Sequence, residues 1–408
     1  MNIRRPRGTH DILPSEQPLW RKVTAEMERV CALYGYQRIQ TPVFEDAQLF
    51  SRTSGVGSDI VQKEMYYLAD RDGEERFALR PEATAPICRA YVEHGMKKLP
   101  QPVKLYTLAS FYRYDRPQRG RYREHYQLSV ECIGSAGPGV DAEVIQLYDT
   151  LLRNLGVSNY ELHLNSSGDR TCRPVYERQL IEWLGDHEDR LTDELRQKRA
   201  TNVLRVFDVK DPEMRALLEE APKITDYLCD ECDKHFAGVR RLLDSYGVQY
   251  VLDPSVVRGL DYYSRTTWEF LGPDESTQAS TISGGGRYDY LIEQIGGPST
   301  PGVGFGAGIE RLIMSLELEG ITAEDDPLDL YVAAAPGLSV GPLLARLRAD
   351  GFAADADYAG RSMKGQISQG QKRARATLVV TPGSMTLRRQ GELDVEVNEQ
   401  QLSELLRS

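Results

Sequence analysis

Residues 112–127, YRYDRPQRGRYREHYQ, place five arginines and four tyrosines in sixteen positions of an otherwise acidic chain. Guanidiniums crowded this closely repel one another, and each carries five donors to satisfy, so the stretch calls for anions between its arginines. Phosphate oxygens suit a bidentate guanidinium, and the interleaved tyrosines offer faces on which a base can stack. Arg119, Arg121 and Arg123 share one strand parity, with Arg113 across a hairpin. The plain alternative is a basic loop exposed to water.

Other stretches carry similar chemistry. In GVGFGAGIER, residues 302–311, glycine recurs at every second position, which leaves one strand face bare for a flat ligand or another backbone. Arg311 follows at the start of a helix. The spacing is not that of a dinucleotide fingerprint, and the chain has no GxxxxGKS phosphate loop. On 127–132, Gln127, Ser129 and Glu131 alternate with Leu128, Val130 and Cys132, so a strand with one face on a core carries Gln127 and Glu131 side by side. LRPEATAP sets Glu82 at a helix start, where a carboxylate is ordinarily a cap. RGLDYYSR sets Arg258 beside Tyr262 and Tyr263, which read equally well as core.

These groups need elements to hold them. Leu19, Val23, Met27 and Val30 recur at helical spacing and Gly35 stops the helix, after which a β-like stretch breaks at Pro42. Residues 100–135 read as strand, turn-rich connection, strand. From about 170 to 250 the charge-laced, helix-favouring sequence has the look of an inserted helical module, and strand and glycine character then returns. Past the acidic ITAEDDPLD, β and α patterns alternate as in a small α/β domain.

Composition bounds the rest. The 408 residues, 40% hydrophobic, are enough for two to three domains. A net charge of -11 excludes a protein that coats nucleic acid through bulk positive charge, so any such contact is local. No run is long and apolar enough for a membrane span, no targeting segment is evident, and the six cysteines read as reduced thiols, which together point to the cytoplasm. The close pair Cys229 and Cys232, with His235 after it, has no second ligand pair at suitable spacing; it reads as structural, and no protein-bound metal is expected.

In this order, YRYD and GVGFGAGIER resemble the second and third motifs of the class II aminoacyl-tRNA synthetases, and the helix ending near Pro42 resembles the first, which forms the dimer interface in that family. RGTHDILP, RTSGVGSDIVQKEMY, LRPEATA, RGLDYYSRT and SGGGRYD are similar to segments of the histidyl-tRNA synthetases in particular. The resemblance implies an α+β fold: an antiparallel catalytic sheet with flanking helices over 1–170 and 251–322, a helical insertion at 171–250, and a C-terminal α/β anticodon-binding domain at 327–408. It implies activation of L-histidine by ATP, with Mg2+ accompanying the nucleotide, transfer to tRNA(His), and a homodimer. No editing domain is required.

Carried over position by position, the resemblance puts Arg113 and Arg258 on opposite sides of the α-phosphate and Arg311 at the γ-phosphate. Arg121 and Tyr122 lie on the loop approaching ATP and the tRNA acceptor end. Glu82, Gln127 and Glu131 match positions that hold the amino and imidazole groups of histidine, and Thr84, Tyr262 and Tyr263 complete that pocket. Two departures stand out. His125 and Tyr126 replace the usual Phe-His before Gln127, so that His125 must stack on adenine. In the C-terminal segment, GQISQGQKRARA departs from the usual run of acidic and small residues. From Gly360 to Gly391 that segment has seven basic residues and no acidic one, a local surface for the anticodon stem. The rival resemblance, to the synthetase-like regulatory subunit of ATP phosphoribosyltransferase, fits less well, because such paralogues lack the C-terminal domain and tend to lose the RGLDYY arginine.

Overall fold

The computed structural model describes residues 3–54, 60–69, 71–73, 75–209, 211–257, 262–273 and 281–407. The chain divides into two compact units, 1–323 and 324–408.

The first unit is built on an eight-stranded sheet. In chain order its strands are β1 (Gln37–Arg38), β2 (Val103–Tyr112), β3 (Glu124–Ile133), β4 (Glu161–Ser166), β5 (Val251–Leu252), β6 (Ser264–Leu271), β7 (Thr281–Arg287) and β8 (Gly302–Gly308). They lie side by side as β1-β2-β3-β8-β7-β6-β4-β5, antiparallel throughout except for the two short edge pairs β1–β2 and β4–β5. The expected hairpin is β2–β3, and it brings Phe111 opposite His125 and Ala109 opposite Gln127.

Both faces of this sheet are covered. Leu128, Val130 and Cys132 of β3 pack with Val303, Phe305 and Ala307 of β8 under four helices. These are α1 (Gln17–Leu33), α3 (Pro138–Leu155), α5 (Asp230–Tyr246) and α6 (Ile309–Leu318). In α1 the expected apolar stripe is what is buried, with Val23, Met27 and Val30 fully enclosed, as helical periodicity requires. The opposite face packs against α2 (Thr84–Glu93), whose Ile87 and Tyr91 meet Val103, Leu105, Ile133 and Tyr288. A three-stranded sheet of Phe44–Asp46, Tyr67–Ala69 and Glu75–Leu79 lies to one side.

The helical sequence after residue 170 divides between two cores. Helix α4 (Arg173–Asp186) and the short helices up to residue 227 share their own cluster around Tyr176, Leu184, Leu195 and Leu217. Phe236, Val239 and Leu243 of α5 instead join the main core against α3. The apolar stripe of α5 therefore serves the sheet unit, which periodicity alone does not reveal.

The second unit is a five-stranded mixed sheet with helices Gly341–Ala349, Met363–Arg373 and Glu399–Arg407. Strand β9 (Leu328–Ala334) pairs in parallel with β10 (Ala354–Ala356) and β11 (Ala374–Thr381), and β12 (Ser384–Arg389) continues antiparallel toward Val395–Glu396.

Candidate active site

On the α2 side of the large sheet, a pocket opens over β3, β8 and β7. Glu82, Thr84, Arg113, Arg121, Tyr122, His125, Gln127, Tyr262, Tyr263 and Arg311 all line it. Arg258 lies outside the described residues.

The floor explains the alternating glycines. Gly304, Gly306 and Gly308 of β8 stand opposite Glu131, Ser129 and Gln127 of β3. A Cβ on Gly304 would come within 2.0 Å of a Glu131 carboxylate oxygen, and one on Gly306 within 2.5 Å of the Gln127 amide. The bare strand face thus makes room for two polar side chains of the neighbouring strand as well as for a ligand. Gln127 donates to Ser129 Oγ at 2.7 Å, and it reaches the pocket wall.

Glu131 sits beneath that wall with no exposed surface. It accepts from Thr84 Oγ1 at 2.7 Å and from the Tyr288 hydroxyl at 2.5 Å. Burial pushes its carboxyl up to about 8, aided by nearby Glu82 and opposed by those two donors. A solvated outer face for this strand is ruled out. Glu82 does what a carboxylate at a helix start ordinarily does, accepting the Thr84 and Ala85 amides at 2.6 and 2.9 Å, and it also faces the pocket. Its carboxyl is raised by burial as well. Tyr262 and Tyr263 are buried core residues, 4.7 Å apart between ring centres, and pocket residues too, so both readings of that pair hold.

The arginines separate by position. Arg113 follows β2 and is oriented by its Nε donating to the Pro81 carbonyl at 2.9 Å. Arg311, in the first turn of α6, donates to the carbonyls of Gly120 and Thr281 at 2.9 and 2.7 Å, which ties that helix to the loop after β2. Arg121 pairs with Asp115 at 2.7 Å, and Tyr122 packs on His10 with ring centres 4.8 Å apart. The shared strand parity of Arg119, Arg121 and Arg123 is not realised, because the chain between β2 and β3 turns through Gln118 and Arg121 and only becomes strand at Glu124. Arg123 turns away to lie 3.9 Å over the Tyr114 ring, while Arg116 and Arg119 are exposed.

His125 packs against Phe111, ring centres 6.1 Å apart. Burial, with Arg113 and Arg311 nearby, holds its imidazole down to about 3, so at neutral pH it presents an uncharged aromatic surface to the pocket. Two groups escaped sequence reasoning. Glu310 lines the pocket, accepts the Tyr126 amide at 2.8 Å, and is pushed by burial up to about 7. Tyr288, packed on the α2 side of the sheet, donates its hydroxyl to Glu131. The glutamate directly before Arg311 and the tyrosine in SGGGRYD were the available signals.

In the second unit, the stretch without acidic residues is not bare positive charge. Arg361, Arg373, Arg375 and Arg388 pair with Asp357, Asp355, Asp326 and Asp394 at 2.6, 2.8, 3.1 and 3.0 Å. The carboxylates come from sequence outside the stretch, which composition within it could not show.

A helix-backed antiparallel sheet with a pocket over its glycine floor, joined to a mixed α/β unit, is the architecture of the class II aminoacyl-tRNA synthetases. The family model described as histidyl-tRNA synthetase matches residues 8–312. A histidine–tRNA ligase of Dehalococcoides mccartyi is 47% identical over 89% of this chain and 88% of its own, and one of Natranaerobius thermophilus is 41% identical over 98% and 96%. The crystal structure of the apo histidyl-tRNA synthetase of S. aureus superposes over 100% of both chains with a TM-score of 0.83 at 32% identity. The chain belongs to the histidyl-tRNA synthetase family.

Proposed function

We propose that the protein activates L-histidine with ATP and passes the histidyl group to the 3' end of tRNA(His), releasing pyrophosphate and then AMP. The observation that carries this reading is the convergence of Arg113 and Arg311 with Glu82, Gln127 and the Tyr262–Tyr263 pair on one pocket. Its guanidiniums suit a triphosphate, and its carboxylate, amide and phenol groups suit an amino acid with two ring nitrogens.

In the first step, a histidine carboxylate oxygen attacks the α-phosphorus of ATP, which enters with its Mg2+, and pyrophosphate departs. Negative charge builds on the five-coordinate phosphorus, and fixed cations are what that transition state needs. Arg113, held by the Pro81 carbonyl, supplies one and Arg258 supplies the other. Arg311 takes the γ-phosphate, and Arg121 and Tyr122 close over the nucleotide. Neutral His125 stacks on adenine in place of the usual phenylalanine. Gln127 and Glu131 read the histidine, with Glu131 accepting an imidazole N–H. Because the pocket's polar groups are left unpaired by an isostere lacking ring nitrogens, discrimination of roughly 10⁴ needs no editing. In the second step, a hydroxyl of the terminal tRNA ribose attacks the adenylate carbonyl and AMP leaves.

The protein works in the cytoplasm as a homodimer, with its second unit on the anticodon stem. No helix among the described residues is long and apolar enough to cross a membrane, and the described cysteines are free thiols, in keeping with that location.

Histidine-dependent exchange of pyrophosphate into ATP tests the reading. The purified protein is expected to catalyse it, Arg113→Ala to slow it by about 10² to 10³, and Arg258→Ala to abolish it. No exchange with histidine, together with tight binding to a phosphoribosyltransferase, would replace this reading with the regulatory one.

A further inference from the structure

The cysteine pair that lacked partners in the sequence finds them in space. Cys229 and Cys232 flank the start of α5, with Cys229 as its N-cap. The chain between β4 and α4 brings Asp169 and Cys172 to the same point, and the four ligand atoms all lie within 4.8 Å of one another. Cys172 Sγ is 3.5 Å from Asp169 Oδ1, and Cys229 Sγ is 3.9 Å from both Asp169 oxygens. Asp169, Cys172 and Cys232 are buried, and Cys229 is half-buried.

We propose that Asp169, Cys172, Cys229 and Cys232 form a tetrahedral zinc site. Four donors at metal–ligand distances of about 2.0 to 2.3 Å stand roughly 3.3 to 3.8 Å apart, so closing the observed cluster on an ion needs only small movements. The separation fits one ion and is too small for an iron–sulfur cluster, whose ligating sulfurs are spread around several metals. Thiolate donors favour zinc over magnesium or calcium. The surroundings prepare the site. The Thr171 and Cys172 amides hold Asp169 Oδ1 at 2.9 and 3.2 Å, Arg265 lies 3.8 Å from Oδ2, and the α5 N-terminus adds its dipole against the donors' negative charge.

The site joins the two ends of the helical module where it leaves and rejoins the sheet. It also touches the pocket wall. Arg173, next to Cys172, donates from Nε to the Ser167 carbonyl at 2.8 Å and from Nη2 to the carbonyl of Tyr263. A zinc ion therefore fixes the backbone behind a histidine-pocket residue and has no part in the chemical step.

The experiment is elemental analysis of the full-length protein purified without chelator, followed by replacement of its metal with Co2+. The expected result is about one zinc per chain, and after exchange the thiolate-to-cobalt charge-transfer and d–d bands of a tetrahedral site. Cys229→Ser, at the least buried ligand, and Asp169→Asn should each lower the zinc content, and residues 173–229 should be cut sooner by protease, with KM for histidine raised more than kcat is lowered. Cys31→Ser, outside the cluster, should keep its zinc. Metal-free protein that takes up no Co2+ after reduction overturns the proposal, as does zinc that persists in both ligand variants. A Cys229–Cys232 disulfide in protein isolated without oxidant also overturns it.

Discussion

Glu131 bears on stability and, in the proposed function, on recognition. Its carboxyl keeps its proton up to about 8 in the fold, whereas an ordinary glutamate releases it near 4.5. A raised carboxyl contributes stability that is fully present below the ordinary value and is lost as pH rises through the raised one. Stability of the ligand-free protein, measured by urea unfolding, should therefore fall between pH 4.5 and about 8. Glu131→Gln should flatten that decline, leaving the share due to Glu310, pushed by burial up to about 7, and to Glu82, also raised by burial. The same variant should lose histidine-dependent exchange, because an amide cannot take on the charge the ring requires. A steeper pH dependence in the variant would contradict this account.

At the scale of elements, the sheet is fastened to its helices by a buried ion pair. Arg287, at the end of β7, is fully enclosed and grips Asp141 of α3 with two bonds, at 3.1 and 2.5 Å. His235 of α5 contacts the same carboxylate at 3.3 Å. The Arg287 guanidinium holds the Asp141 carboxyl down to about 2 against burial, so its contribution is present above the ordinary carboxylate value and lost only as pH falls through about 2. Asp141→Asn removes the two-bond partner of a buried guanidinium, which still meets Asp289 at 2.9 Å, and should cost about 3 to 5 kcal/mol in unfolding free energy. Replacing Asp141 and Arg287 together with apolar residues should cost less than the single change. A double change that costs the sum of the two single changes would show that the pair is not coupled.

For the whole molecule, the small three-stranded sheet and its approach carry apolar side chains that the described residues leave exposed. Phe44 and Phe77 meet edge to face with ring centres 5.8 Å apart, and they, Val43, Tyr67 and Leu68 are all exposed. Val43 and Phe44 directly follow Pro42, near which the stretch resembling the first family motif ends. In the proposed homodimer, burial of this patch by a second copy of the chain would account for it. In sedimentation the protein should run at twice its 46.0 kDa chain mass, and Phe44→Glu with Phe77→Glu should run at the single value. A wild-type protein that stays at the single value in dilute solution removes the dimer from the proposed function.

The sequence by itself determined the chemistry available. Side-chain type and spacing marked the arginine hairpin, the glycine strand and the residues that now line one pocket, and periodicity marked α1 and the strands, because local burial patterns are written locally. Tertiary structure alone decided which of these groups meet. It turned Arg123 away from the pocket, buried Glu131 under Thr84 and Tyr288, brought in Glu310, and set acidic partners beside the C-terminal arginines. It also set Asp169 and Cys172 beside Cys229 and Cys232, across the whole helical module. Contacts between segments so far apart are settled by the packing of both sheet faces at once, and no window of sequence contains that information.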